Sequence, residues 1–379
     1  MSTIAKAFVG ARIHDGVEIY DDHAFLIHTD TSRSITARQD VPNGCPTEEL
    51  RGGIIAPGFI DLQINGGGGV MFNDDQSVEA LRNIAAAHAS IGTAAVLPTL
   101  ITDTPRRTKA AIAAVEQAVA ERIEGVVGIH LEGPHLSVAR KGAHDPKLIR
   151  RMDDDDLATV LRAAERLPNV MITVAPENTT NAQIRKMSDA GVIVSLGHTD
   201  AGFDESMAAF DAGACCVTHL FNAMSQMGNR EPGLVGATLA RGDIHAGLIA
   251  DGIHVHPEMI RIALAAAPNS DRIMLVTDAM ATAGSQISGF VLNGRQVIRK
   301  DQRLTLKDGT LAGADLEMRQ ALSTMVNAVG DPPVDAIRRA TATPFSLLRG
   351  FSNSRPLFET DLSPNHLSDD LSTVTRLLA

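Results

Sequence analysis

Apolar and polar positions alternate in a repeated order along most of this chain. From residue 59 onward, apolar runs of four to six residues are each followed by ten to fifteen residues with helical periodicity. The apolar runs, interpreted as strands, occupy residues 59–62, 94–97, 126–131, 170–174, 192–196, 216–219, 246–249 and 273–277. The helical segments between them include residues 78–90, 109–121, 154–166 and 257–266. Eight such repeats predict an α/β fold, a (β/α)8 TIM barrel with a parallel sheet.

The first fifty residues follow a different pattern. Short apolar runs at residues 7–9 and 24–27 are separated by Asp-Gly and Asp-Asp turns, which is typical of small antiparallel strands. The Gly- and Pro-containing segment 52–58 then predicts a crossing into a second domain.

The composition argues against a nucleic-acid partner. The 379 residues carry 45 acidic and 34 basic side chains, a net charge of -11, with no long Lys/Arg cluster. With no Trp and a single Tyr, Tyr20, the chain has little from which to build aromatic platforms for a polymer. We therefore expect a small polar substrate.

Cysteine usage and hydropathy predict a cytoplasmic protein. The three cysteines, Cys45, Cys215 and Cys216, suggest no disulfide framework, which fits a reducing compartment. The N-terminal sequence has no apolar run of the signal-peptide kind, and the apolar stretches elsewhere are too short to span a bilayer. We expect no membrane partner.

Six of the predicted strands end in side chains that suit metal binding or catalysis. In parallel barrels, catalytic groups lie just past the C-terminal ends of the strands. The polar strand ends are residues 61–65, 130–135, 197–200, 218–222, 250–254 and 277–279. Because all of these ends face one mouth of a barrel, they predict a single site.

Two imidazoles and one carboxylate among these residues form a common ligand set for catalytic zinc. Glu132, His198 and His219 supply that set. Taken singly, each histidine could be an ordinary hydrogen-bonding residue, and Glu132 could cap a loop. Their convergence in a barrel favours the metal site.

Asp278 follows the last predicted strand, where a carboxylate would lie over the metal. It could take a proton from an activated water and return it to a leaving amine. The alternative is a helix cap, but the loop-like residues 279–284 that follow disfavour it.

Other polar residues are candidates for substrate contacts. His254 and His144 could polarise or bind a substrate group, and Arg230 lies in a Gly/Pro loop that suits a phosphate or carboxylate. A solvated surface position is the alternative for Arg230. The glycine run 66–69 lacks the context of a phosphate loop, so we predict close packing for it.

Together these segments resemble the N-acetylglucosamine-6-phosphate deacetylases of the amidohydrolase superfamily. The resemblance runs from about residue 52 to about residue 345. The matching segments are residues 57–66, 130–134, 141–144, 197–199, 218–224, 230–233, 250–254 and 276–279.

The resemblance implies a metal-dependent hydrolase of a linear amide bond. Glu132, His198 and His219 would hold one divalent metal ion per subunit, with zinc expected and Fe²⁺, Co²⁺ or Mn²⁺ as alternatives. A metal-activated water would attack the amide, Asp278 would be the general base and then acid, and His254 would polarise the acetamide carbonyl. Gln63 and Asn65 stand where many amidohydrolases carry the histidines of a second metal, so a single ion is expected.

The resemblance also implies the substrate contacts and a homodimer. His144 and the Ala143 backbone would contact the sugar, and Asn222, Ala223 and Arg230 would hold the 6-phosphate. Arg230 or the His254 loop would reach across from a partner subunit. A further substrate-contacting segment would be Leu311, Ala312 and Gly313.

Three segments follow from this resemblance. We expect a small β-sandwich domain built from both chain termini, residues 1–56 and 346–379, around a metal-dependent barrel at residues 57–345. The region 348–365 lacks the glycines that usually lead back to the small domain, which is a departure from the family pattern. Residues 366–370 could still begin a strand.

The implied reaction converts N-acetylglucosamine 6-phosphate and water into glucosamine 6-phosphate and acetate. A hydrolase of a cyclic amide or an N-acyl amino acid, from the same superfamily, is the alternative enzyme. A non-catalytic barrel scaffold is the alternative from another class. Acceptance of N-acetylgalactosamine 6-phosphate is left open.

Overall fold

Seven strands precede the barrel in the computed structural model, which describes residues 3–349, 357–360 and 362–377. They are β1 (Ile4–Val9), β2 (Arg12–His14), β3 (Ile19–Tyr20), β4 (His23–His28), β5 (Arg33–Ala37), β6 (Thr47–Glu49) and β7 (Ile54–Ala56). One turn of 3-10 helix, Arg38–Asp40, follows β5.

Eight parallel strands form the TIM-like barrel that the sequence predicted. The first is β8 (Phe59–Ile64), which is followed by a small hairpin of β9 (Gly66–Gly67) and β10 (Val70–Met71). The other seven are β11 (Thr93–Ile101), β12 (Ile129–Glu132), β13 (Val170–Val174), β14 (Ile193–Leu196), β15 (Cys216–Val217), β16 (His245–Leu248) and β17 (Ile273–Leu275). Their order in the sheet follows their order in the chain, and a parallel bridge between Ile64 and Ala279 joins the first strand to the segment after the last.

Ten α-helices are present in the described residues. They are α1 (Val78–Ser90), α2 (Pro105–Ala120), α3 (Asp154–Arg166), α4 (Asn181–Asp189), α5 (Phe203–Asp211), α6 (Gly233–Leu239), α7 (Pro257–Ala266), α8 (Met318–Thr324), α9 (Pro333–Ala340) and α10 (Ala342–Phe345). The predicted bounds of α1, α3 and α7 agree with the structure. Helix α2 begins four residues earlier than predicted, because the Thr104 side chain caps it and Pro105 starts it. Short 3-10 or π turns lie at Val138–Arg140, Ser270–Arg272, Met325–Val329 and Leu357–Glu359.

A run of four aspartates caps and begins helix α3. The Asp153 side chain accepts a hydrogen bond from the backbone N–H of Asp156 at 2.8 Å and so caps the helix. Asp154, Asp155 and Asp156 fill the first turn, where carboxylates oppose the positive end of the helix dipole.

The third barrel strand begins later than predicted. Residues 126–131 were expected to be extended, but β12 starts at Ile129 because Gly128 has φ of 153°. A Cβ atom at Gly128 would lie 2.2 Å from the carbonyl oxygen of Asn169, so only glycine fits this approach. Val126 contacts the sheet through a single bridge to Val96.

A four-stranded antiparallel sheet, which the sequence analysis did not predict, stands between the last barrel strand and α8. Its strands are β18 (Gly289–Leu292), β19 (Arg295–Lys300), β20 (Arg303–Thr305) and β21 (Leu311–Ala314). Its apolar side chains, among them Phe290, Leu292 and Val297, pack with Ile101 and Met280 at the end of the barrel. A parallel bridge from Ala314 to Ala279 fixes the sheet beside the strand ends.

Strands from both ends of the chain form two further sheets. The last two strands, β22 (Asn365–Leu367) and β23 (Val374–Arg376), extend the sheet β23-β22-β7-β2-β3, which faces the sheet β5-β4-β1-β6. Phe8 and Phe25 of one sheet pack with Ile13 and Ile55 of the other, which gives the β-sandwich that was expected. The chain thus returns to the β-sandwich although it lacks the usual glycines. Within the region 348–365, residues 350–356 and 361 lie outside the described residues.

Helix α2, with 16 residues, is the longest α-helix of the described chain. No helix in the described ranges has both the length and the apolar character that crossing a membrane requires.

Candidate metal centre and substrate pocket

A cavity of about 390 Å³ opens at the C-terminal ends of the barrel strands. Most of the predicted site residues line it, namely Glu132, Ala143, His144, His198, His219, Asn222, Ala223, His254, Asp278, Leu311 and Gly313. Lining residues that the sequence analysis did not propose as site residues include Asn65, Ile101, Arg140, Met280, Leu292 and Thr310. The cavity is thus built from strand ends on one side and from the β18–β21 sheet on the other.

Two predicted substrate residues lie elsewhere. Arg230 is exposed on the loop between Met224 and α6 and is not part of the cavity lining in the described chain. Ala312 is fully buried, and its side chain packs in the apolar cluster beneath the β18–β21 sheet. Their predicted roles in substrate binding stay predictions.

The three predicted metal ligands converge on one point. His198 Nε2 and His219 Nε2 each lie 3.1 Å from Glu132 Oε1, and the two nitrogens are 3.0 Å apart. All three side chains are buried. Within the described residues this is the one group of three or more His, Cys, Asp or Glu side chains with the spacing of a metal site.

The protonation of His198 explains why this group suits a cation. Its Nδ1 faces the carbonyl oxygen of Arg140 at 2.8 Å, and a carbonyl can only accept, so Nδ1 carries a proton. In the neutral ring Nε2 then presents a lone pair toward Glu132 and toward His219. Facing lone pairs at about 3 Å are stabilised by a positive ion between them, which is how a carboxylate and two imidazoles bind zinc.

The electrostatics of Glu132 agree with a ligand role. Burial by itself would raise the pKa of this carboxyl, but proton donation and positive charge at His198 and His219, which a bound cation would replace, outweigh burial and hold the pKa well below its ordinary value. Glu132 is therefore an anion at neutral pH, as a metal ligand must be.

Two of the predicted metal ligands and Asp278 have left-handed backbone conformations. The φ angles are 48° at His198, 31° at His219 and 52° at Asp278. Side chains other than glycine rarely adopt such angles, and each instance costs of order 1–3 kcal/mol. The positive φ ends the strand and turns the side chain into the mouth, which is why β15 ends at Val217, before the predicted residue 219.

Asp278 lies between two amide donors at the junction of the first and last barrel strands. Asn65 Nδ2 donates to its Oδ1 at 2.6 Å, and Gln63 Nε2 donates to the same oxygen at 3.3 Å. Gln63 Nε2 also lies 3.2 Å from Glu132 Oε1 and so connects the predicted base with a predicted metal ligand. Burial, and after it the negative charge of Glu132, raises the pKa of Asp278 to about 6. A carboxyl with such a pKa can both take and return a proton near neutral pH.

His144 is held as a neutral hydrogen-bond donor. Burial, followed by the nearby His198, lowers the pKa of His144 to about 3. The backbone N–H of Thr102 donates to His144 Nδ1 at 3.3 Å, and the Thr102 hydroxyl lies 2.7 Å from the same atom. Because Nδ1 accepts, the ring proton is on Nε2. Sequence reasoning missed Thr102, whose contact with His144 joins two separate strand ends.

His254 is oriented by a neighbouring carboxylate. Its Nδ1 lies 2.6 Å from Asp251 Oδ2, and Asp251 Oδ1 accepts from the backbone N–H groups of Ile253 and His254. Burial would raise the pKa of Asp251, but the His254 contact outweighs burial and lowers it. This pairing fixes the ring so that its Nε2 end can meet a substrate in the cavity.

Arg140 contributes to the site in two ways that the sequence did not predict. Its carbonyl orients His198, as described above, and the residue lines the cavity while its guanidinium contacts Asp200 at 2.7 Å. The glycine run, in contrast, has the packing role that was predicted. A Cβ atom at Gly67 would lie 3.0 Å from the His88 ring.

Comparison with protein families gives a match to the amidohydrolase family over residues 54–350. An N-acetylgalactosamine-6-phosphate deacetylase of Shewanella sp. (strain ANA-3) is 40% identical over 304 residues, which cover 80% of this chain and 76% of the relative. An N-acetylglucosamine-6-phosphate deacetylase of Haemophilus influenzae is 33% identical over 341 residues, covering 89% and 88%.

Solved structures give the same result. The N-acetylglucosamine-6-phosphate deacetylase of Pasteurella multocida superimposes with a TM-score of 0.90 at 32% identity, covering 98% of both chains. A variant of the Mycobacterium smegmatis enzyme, crystallised with N-acetyl-D-glucosamine 6-phosphate, superimposes with a TM-score of 0.89 at 29% identity, covering 100% of this chain and 98% of the other.

Proposed function

We propose that this chain, which belongs to the amidohydrolase family, hydrolyses N-acetylglucosamine 6-phosphate to glucosamine 6-phosphate and acetate. The observation that carries the proposal is the convergence of Glu132, His198 and His219 beside Asp278 in the barrel mouth. The relatives described above, at 33–40% identity, are named as deacetylases of N-acetylated sugar phosphates, which favours this activity over cyclic-amide hydrolysis, the alternative enzyme activity.

The 4-epimeric sugar phosphate is a second candidate substrate. The relative with 40% identity carries the name of an N-acetylgalactosamine-6-phosphate deacetylase, and a second relative of that name, from Escherichia coli O157:H7, is 34% identical over 331 residues. The two substrates differ only in the configuration of one hydroxyl group, so the same metal, base and phosphate contacts serve both.

One divalent ion per subunit, which we propose to be zinc, would be held by Glu132, His198 and His219. When bound, such an ion supplies Lewis acidity to a carbonyl and lowers the pKa of a water molecule. The alternative first-row metals Fe²⁺, Co²⁺ and Mn²⁺ accept the same ligands.

Asp278 performs the proton transfers. Both of its amide contacts, with Asn65 and Gln63, are made to Oδ1, so Oδ2 is the oxygen that takes the proton of the attacking water. The same oxygen then protonates the departing amine nitrogen. His254, whose Nδ1 proton is held by Asp251, donates from Nε2 to the acetamide carbonyl as the doubly protonated imidazolium and stabilises the charge that develops there, an effect often worth about 3–4 kcal/mol per donor.

The remaining cavity residues bind the sugar phosphate in this proposal. His144, as an Nε2–H donor, and the Ala143 backbone contact the sugar, and the segment of Leu311, Ala312 and Gly313 forms the facing wall. Asn222 and Ala223 hold the phosphate with Arg230.

Because Arg230 is exposed and outside the cavity lining of its own described chain, we propose that it, or the His254 loop, serves the site of a partner subunit in a homodimer. The cytoplasm is the proposed location. We also propose that residues 57–345 form the catalytic domain and that residues 1–56 and 346–379 form the small β-domain.

Acetate release tests the proposed function. The purified protein is assayed with N-acetylglucosamine 6-phosphate, N-acetylgalactosamine 6-phosphate and unphosphorylated N-acetylglucosamine, each with and without chelator. We expect turnover of at least one phosphorylated sugar, little turnover of the unphosphorylated sugar, and loss with chelator that added zinc reverses. Equal rates with and without the phosphate, or no acetate release from any of the three sugars, would contradict the proposal.

Replacement of Arg230 by alanine tests the phosphate contact. Loss of one charged hydrogen-bond donor, worth about 1.5–3 kcal/mol, is expected to raise KM for the phosphorylated sugar about 10- to 100-fold with little change in kcat. Steady-state kinetics on both forms of the sugar measure the effect, with Arg185→Ala on the exposed face of α4 as the matched control. An equal effect on the unphosphorylated sugar would argue against a phosphate contact.

A further inference from the structure

A chain of hydrogen-bonded side chains crosses the barrel interior beneath the candidate metal ligands. His130 Nε2 lies 2.7 Å from the hydroxyl of Thr173, which lies 2.6 Å from the hydroxyl of Thr218. The Thr218 hydroxyl in turn lies 2.7 Å from that of Ser195. None of the four side chains is more than 1% exposed. They form one continuous polar path through the core, which we call the buried chain.

The buried chain reaches every strand that carries a ligand. His130 lies on β12 two residues before Glu132, and Ser195 lies on β14 three residues before His198. Thr218 directly precedes His219. Thr173, on β13, connects β12 to the two histidine-bearing strands.

One backbone carbonyl fixes the direction of every proton in the buried chain. His130 Nδ1 lies 3.0 Å from the Leu62 oxygen, which can only accept, so Nδ1 carries the proton of the neutral ring and Nε2 accepts. Thr173 must then donate to His130. Each hydroxyl has one hydrogen, so Thr218 donates to Thr173, and Ser195 donates to Thr218. The donors and acceptors match at every step.

Such polarity is unusual at this depth. Layers of side chains inside parallel barrels consist mainly of branched apolar residues. A buried hydroxyl costs free energy unless it is hydrogen-bonded, and valine would fill the same space as threonine without a polar atom. The polar layer therefore gives geometric definition that an apolar layer of the same volume lacks.

We propose that the buried chain is a positioning device for the metal centre. It fixes how far the strands that lead to Glu132, His198 and His219 extend relative to one another along the barrel, so that the three ligand atoms converge. A strand rises about 3.3 Å per residue, so each contact acts within about 3–10 Å of a ligand. The inference rests on the metal centre proposed above.

Zinc affinity of isosteric variants tests this proposal. The metal-free full-length protein is titrated with zinc against a chelating dye, with circular dichroism and thermal unfolding as checks of the fold. Loss of a group that supports the direct ligands without binding the metal itself typically weakens metal affinity 10- to 100-fold. We expect the zinc affinity of Thr173→Val to be reduced by about that factor. Thr173→Ser, which keeps the hydroxyl, is expected to return within a few-fold of the unchanged protein.

Two further variants sharpen the test: a matched control outside the buried chain, and a variant of Ser195, the last residue of the buried chain. Thr341→Val removes a fully buried hydroxyl that lies outside the buried chain and donates to the carbonyl oxygen of Ile337. Zinc affinity is expected not to change in this variant. Ser195→Ala removes the terminal donor and is expected to weaken zinc binding severalfold, less than Thr173→Val does. Should Thr173→Val fail to fold, Ser195→Ala decides the question.

Two results would overturn the proposal. The first is unchanged zinc affinity in Thr173→Val, or in Ser195→Ala if the former does not fold. The second is an equal loss of affinity in Thr341→Val, which would mean that any buried hydroxyl has this effect. If the unchanged protein bound no divalent metal, the metal centre itself would fail and this inference with it, a result that the same titration separates from the other two.

Discussion

Replacement of Asp278 by asparagine is expected to lower kcat for deacetylation about 1000-fold while the fold and the zinc content stay unchanged. General acid–base catalysis typically contributes a factor of about 10²–10⁴, and Asp278 supplies both proton transfers in the proposed reaction. Asparagine keeps a carbonyl oxygen that can accept from Asn65 and Gln63, so the two amide contacts survive. Only the ability to take a proton is removed.

Steady-state acetate release, metal analysis and circular dichroism on the same preparation measure these three quantities. Asp189→Asn, on the exposed end of α4, is the matched control and is expected to behave like the unchanged protein. Activity above about a tenth of the original would reject Asp278 as the base. Loss of zinc together with activity would assign it to the metal instead.

Replacement of Glu132 by glutamine is expected to abolish both zinc retention and turnover. Glu132 is the single anionic member of the ligand set, and its Oε1 is the atom that both imidazoles approach at 3.1 Å. Outer contacts of a metal site are worth 10- to 100-fold in affinity, so loss of a direct ligand is expected to cost more than about 100-fold. Turnover should fall below about a hundredth.

Thermal unfolding with and without zinc reports this loss independently of activity. An ion that binds only the folded state adds about 2.7 kcal/mol of stability at 100 times its Kd. The unchanged protein should show that stabilisation and Glu132→Gln should not, whereas Glu165→Gln, on the outer face of α3, should match the unchanged protein. A glutamine variant that zinc still stabilises fully would remove Glu132 from the ligand set. Asp278→Asn should keep the stabilisation, so the two variants separate metal binding from proton transfer.

The barrel, and the convergence of the proposed ligands at its mouth, could be predicted because both depend on periodicity. An apolar run followed by a helical segment identifies a strand wherever it lies, and the polar residue at its end must then face the mouth. Glu132, His198, His219 and Asp278 were all found in this way.

Features that depend on contacts across the fold could not be found from the sequence. The β18–β21 sheet was missed because its strands are short and carry several charged residues, so no alternation stands out. The Arg140 carbonyl that orients His198 is a backbone group, which no residue type encodes. Thr102 acts through His144, which is 42 residues away in the chain and which the fold brings to 2.7 Å from its hydroxyl.

The junction between β8 and the segment after β17 has a consequence for the order of assembly. All three proposed ligands end or follow strands of one contiguous run, β12 to β15, and in this proposal their side chains are in place once that part of the sheet exists. Asp278 arrives last in the chain, and its partner Asn65 comes from the first strand. A nascent barrel could therefore hold a metal ion before it could hydrolyse anything, since the proton carrier takes its position only when the two edges of the sheet meet.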